Sequence, residues 1–135
     1  MPMNASLRDA CSEAPQPPLR QAWSLYTAGD YFACHEVLEE LWRATEGPLR
    51  ELYRGLIQVV VGLYHARRGN VVGGRQVLAR GLVRLEAYPA CCLGIDLALL
   101  RAGARRYLDW LVAGASDPEP ERPVWRWTSE WPGET

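Results

Sequence analysis

The chain has 135 residues, 48% of them hydrophobic, which suits one domain with a proper core. A net charge of −1 argues against generic binding to nucleic acid or to an anionic membrane surface, since both need a basic excess. There is no signal-peptide-like apolar core near the start and no uncharged run of membrane-spanning length. Cys11, Cys34, Cys91 and Cys92 lack metal-knuckle spacing. Reduced thiols in a cytoplasmic protein are therefore expected.

Residues 1–16 are polar, end in PQPP and read as a flexible N-terminal arm. Residues 17–114 read as an all-α domain of about five helices, an antiparallel bundle of helical hairpins. Pro18 suits a first helical turn, where a missing N–H costs nothing. Leu19, Ala22, Trp23 and Tyr26 then recur at helical spacing up to Gly29. Asp30 is placed to cap a second helix running to about Thr45. Gly47 and Pro48 stop it and start a third, apolar on most faces, which runs to Arg68. A fourth spans roughly Val71 to Tyr88. Its Gly74 and Gly81, seven apart beside the apolar face, would let a neighbouring backbone come close. A CCLG turn leads to Asp96, expected to cap a fifth helix with the stripe Leu97, Leu100, Ala104, Tyr107, Leu108 and Leu111. An offset of forty carries Gly29 to Gly69 and Leu38 to Leu78, so two like hairpins in tetratricopeptide-type stacking are suggested. Arg101, Arg105 and Arg106 read as a solvated basic face.

Residues 115–135 are too rich in Pro and Glu for helix. Trp125, Trp127 and Trp131 lie in this polar tail, and each ring offers ~150–250 Å² to bury. The tail is expected to dock on its own bundle, or else on a second subunit or partner protein.

The chemistry-bearing residues concentrate in the second and third helices. On a helical wheel His35 points to the core side with Tyr31, Leu38 and Trp42, Glu39 lies at its edge, and Glu36 and Glu40 face solvent. A His/Glu pair at i, i+4 leaves one helix face and can share a metal ion, with His65 as the candidate third ligand. An antiparallel hairpin turning near Gly47 pairs residues whose numbers sum to about 93. That register sets Glu39 against Arg54 and His35 against Gln58. It leaves His65 near Asp30, roughly 10 Å along the axis from His35. Two readings follow. One is a non-catalytic structural or partner-binding module whose polar network (His35, Glu39, Arg54, Gln58, His65, Asp30) fixes register. The other is a metal or acid–base site using His35 and Glu39, with Glu36 or His65 recruited. Cys34 is buried and reads as inert rather than nucleophilic.

The blocks AGDYFACHEVLEELWR and YRGLIQVVVGLYHARRGN, followed by a Gly-containing helix, resemble the small all-helical family called domain of unknown function 309 over Leu19 to Leu111. The matching positions are Gly29, Tyr31, His35, Glu36, Glu39, Trp42, Gly55, Gln58, His65, Gly69 and Asn70. The resemblance implies a helical bundle without an established activity. It also carries the label of a metal-dependent hydrolase for some members, which would call for Zn, Mn or Fe. A homodimer or a protein partner is open on either reading.

Overall fold

The computed structural model describes residues 5–128. They form α1 (Ala5–Cys11), α2 (Pro17–Thr27), α3 (Tyr31–Ala44), α4 (Arg50–Arg67), α5 (Val71–Leu85), strands β1 (Cys91–Cys92) and β2 (Ile95–Asp96), and α6 (Leu97–Val112). The fold is all-α apart from that two-stranded antiparallel hairpin, in which Cys91 pairs with Asp96 and Cys92 with Ile95.

The two-hairpin pattern is visible at the junctions. Gly29 and Gly69 both take the left-handed conformation, at φ 82° and 89°, which glycine adopts without a Cβ penalty. The next residues, Asp30 and Asn70, have near-identical backbones and cap the following helices. Each side chain accepts the N–H three residues on, from Ala33 at 3.2 Å and from Gly73 at 2.9 Å. Asp96 repeats the device on Leu99 at the start of α6.

The α4/α5 pair packs backbone to backbone. A Cβ on Gly74 would lie 2.8 Å from the Gly62 carbonyl, and one on Gly81 would lie 2.9 Å from the Gly55 carbonyl. Glycines at spacing seven on both helices thus let the axes approach, as α5 alone suggests. The core runs through every layer, from Leu19 on α2 through Leu38, Leu56 and Leu78 to Leu100 on α6.

Arginines seal helix ends whose last carbonyls lack partners. Arg50 Nη1 donates to Trp42 O (2.9 Å) and Thr45 O (3.1 Å) at the end of α3. Arg101 Nη1 does the same for Leu85 O and Tyr88 O after α5. Arg105 pairs with Glu86 at 2.7 Å. The basic face expected on α6 is therefore largely engaged in the fold.

Two expectations need correction at the chain ends. Residues Ala5–Cys11 are helical where a loose arm is expected. Cys11 and Cys92, expected as reduced thiols, form a disulfide between α1 and β1, while Cys34 and Cys91 remain thiols outside any disulfide. A sequence separation of 81 conceals this neighbourhood, which arises because the β-hairpin returns the chain beneath α1. The Leu93 N–H donates to Cys11 O at 2.7 Å beside it. With that pairing, reduced thiols no longer point to a cytoplasmic setting.

The tail docks on its own bundle. Trp125 is buried, with its carbonyl accepting from Trp23 Nε1 at 2.7 Å. Tyr26 hydroxyl donates to Pro123 O. Arg122 closes the end of α2 through Tyr26 O and Thr27 O. Trp127 forms an isolated antiparallel bridge with Ile95. Trp131 lies outside the described residues.

Candidate functional site

α3 and α4 run antiparallel, and the side chains that meet show their register. The rings of Phe32 and Tyr64 lie 6.0 Å apart, and Arg54 sits 5.6 Å over the Trp42 ring. The numbers of these two pairs sum to 96, three more than the expected register, while Arg50 reaches back from the start of α4 to lie 4.2 Å over the same Trp42 ring. The connection runs through Thr45–Leu49, with Gly47 in the left-handed region at φ 88°.

That shift of nearly one helical turn dismantles the expected polar network. Glu39 does not meet Arg54. It pairs with Arg43 on its own helix at 3.2 Å and stands 4.0 Å from His35 Nε2. Gln58 accepts from Arg84 Nη1 of α5 at 3.0 Å, not from His35. Asp30 serves as the α3 cap and leaves His65 to other neighbours. No polar or charged residue among those described is buried, so the contacts lie at the surface rather than in the core. Exposed ion pairs of this kind contribute little to stability.

The shifted register brings the two histidines to one place. His35, His65, Tyr31, Phe32, Val61 and Tyr64 line a cleft of about 200 Å³ between the start of α3 and the end of α4. Its rings stand edge to face: Phe32 and His35 at 5.0 Å and 61°, Tyr64 and His65 at 6.0 Å and 61°. The ring of Phe32 is 51% exposed, which is unusual for the chain's sole phenylalanine. Arg68 covers Tyr64 from outside, 5.3 Å from its ring.

The donor set does not fit a resident metal. His35 Nδ1 donates to Phe32 O at 2.6 Å, which fixes the ring and leaves Nε2 as its one available donor atom to a cation. Glu39 is shared with Arg43. Glu36 is exposed on the outer side of α3. Among the described residues no group of three or more His, Cys, Asp or Glu side chains is close enough to hold an ion. A structural or catalytic site needs at least three such ligands.

Cys34 lies beside this cleft but inside the core. Burial pushes its thiol up to about 12, with the Asp30 carboxylate adding to the rise, so it stays protonated and unreactive at neutral pH. Burial likewise raises Tyr26, far above the ordinary tyrosine range.

Sequence reasoning found His35, His65 and Tyr31 but not Phe32, Val61 and Tyr64, which complete the cleft. The available signal was Phe32 itself, an aromatic on the solvent side of an otherwise regular amphipathic helix.

The molecule is thus a stack of two helical hairpins with an open aromatic cleft on the α3–α4 face. The family described as "Domain of unknown function (DUF309)" matches residues 19–77, from α2 into α5, so this stretch is similar to that family. Over 85 residues the chain is 32% identical to an uncharacterized protein of Aquifex aeolicus (strain VF5), a match covering 62% of this chain and 26% of that protein. Over 59 residues it is 44% identical to the uncharacterized protein YpuF of Bacillus subtilis (strain 168), covering 43% and 34%. The chain therefore spans about a quarter and a third of the length of these two relatives. Among the described residues no helix is long and apolar enough to cross a membrane.

Proposed function

We propose that this chain is a non-catalytic helical module that binds protein through its α3–α4 face. One observation carries the reading: a half-exposed phenylalanine rims a ring-lined recess of about 200 Å³, while Trp125 and Trp127 of the tail are engaged in the fold. Aromatic rings that present area to solvent at low entropy cost are the usual anchors of protein interfaces. Support also comes from the relatives, in which the matched stretch is part of a longer chain, as an interaction module would be.

The test is a photo-crosslinking amino acid placed at position 32, compared with one at Val83 on α5, which is still more open to solvent. The reading expects a discrete protein adduct from position 32 that Tyr64→Ala diminishes, and none from position 83. Equal labelling from both positions, or none from 32, overturns it.

A further inference from the structure

The chemistry of the face narrows its partner, on the premise that α3–α4 is the binding surface. α3 holds Glu36, Glu39 and Glu40 against Arg43 and is the only net-acidic helix among the described residues. Its neighbour α4 is net basic, with Arg50, Arg54 and Arg67 against Glu51, and Arg68 follows as its cap. On this face the basic groups are Arg54 and Arg68, over the Trp42 and Tyr64 rings, since Arg50 closes the end of α3 and Arg67 pairs with Glu119. Neither Glu36 nor Glu40 has an ion-pair partner among the described residues. Apolar side chains of the two helices, Trp42, Ile57 and Tyr64 among them, are partly buried and pack against the core.

A foreign helix of uniform charge entering this groove would meet attraction on one side and repulsion on the other. A second copy of the same face avoids that conflict. We propose that the occupant is another molecule of this protein, related by a two-fold axis parallel to the helices. This operation lays α3 of each copy over α4 of the other, acid against base, and brings each Phe32 toward the other copy's recess. A two-fold axis across the helices would instead stack α3 on α3, setting glutamates against glutamates, so the charge pattern selects the first arrangement.

The experiment is sedimentation velocity on the full chain at low and high salt, with far-UV circular dichroism to confirm that each variant is folded. Wild type is expected to dimerise with concentration, and more weakly in high salt. Glu36→Arg with Glu40→Arg makes α3 basic, and Arg54→Glu with Arg68→Glu makes α4 together with its cap net acidic. Each pair is expected to weaken the dimer roughly tenfold or more, and an equimolar mixture of the two to restore it, because both juxtapositions become complementary again. A monomeric wild type, a dimer indifferent to both charge changes, or a mixture that stays monomeric overturns the proposal. If the wild type is monomeric yet position 32 still crosslinks a foreign protein, the second-copy proposal falls and the binding-module reading survives. If neither occurs, both fall.

Discussion

Reduction of the Cys11–Cys92 disulfide, or its removal by Cys11→Ser with Cys92→Ser, should lower stability substantially. The bond joins residues 81 apart in sequence, so it restricts most of the unfolded chain. Loop-closure entropy for a loop of this size gives about 4.5 kcal/mol. At a urea slope of roughly 2 kcal/mol per M, the unfolding midpoint should drop by about 2 M. Little native packing depends on the bond, since α1 is short and meets the bundle chiefly at β1. The effect should therefore act mainly through the unfolded state, with native near-UV and far-UV spectra little changed. The assay is urea unfolding with and without a dithiol reductant, beside a thiol count in denaturant. Two thiols before reduction and four after are expected, since Cys34 and Cys91 lie outside the disulfide that joins Cys11 and Cys92. Four thiols before reduction, or a midpoint that moves by less than about 0.5 M, would refute the reasoning.

Gly81→Val should cost at least about 2 kcal/mol, because the added atoms strike the Gly55 carbonyl and the Val59 amide rather than a movable side chain. The small gain in helix propensity does not offset this, and a rise in stability on urea unfolding would contradict the close α4–α5 approach. Arg122→Ala removes the partner of two α2 carbonyls and should cost about 1–2 kcal/mol while shifting Trp fluorescence to the red as the tail loosens. An unchanged spectrum would show that the tail is held without that side chain. Stability should also fall with alkali. The Cys34 thiol is raised by burial from 9.0 to about 12, so its contribution is complete below pH 9 and is lost as the pH climbs toward 12, where the unfolded thiol ionises first. Cys34→Ala should flatten that part of the pH profile. An identical slope in the variant would place the effect elsewhere.

Helix number and order in the bundle were readable because each helix has its own start and stop. Gly29–Asp30 and Gly69–Asn70 are sequence signals with a direct backbone meaning, and both junctions form as expected. The close approach at Gly74 and Gly81 was legible for the same reason. Register across α3–α4 was not, because it depends on the course of the Thr45–Leu49 connection, and residue types there allow more than one path. A shift of three residues moved Arg54 from Glu39 to Trp42 and gathered both imidazoles at one cleft. The disulfide was hidden by sequence distance: nothing local links Cys11 to Cys92 until the β-hairpin forms. Arg122 escaped notice because its partners are backbone carbonyls, which leave no mark in the sequence.

On the proposed function, the cleft of His35, His65 and Phe32 is a docking recess and not a metal centre. Elemental analysis of the purified protein, with thermal melts in the presence and absence of chelator, tests this most directly. The expected result is no stoichiometric Zn, Mn or Fe and melting curves that superimpose. One equivalent of metal per chain, lost in His35→Ala while the fold persists, would contradict it.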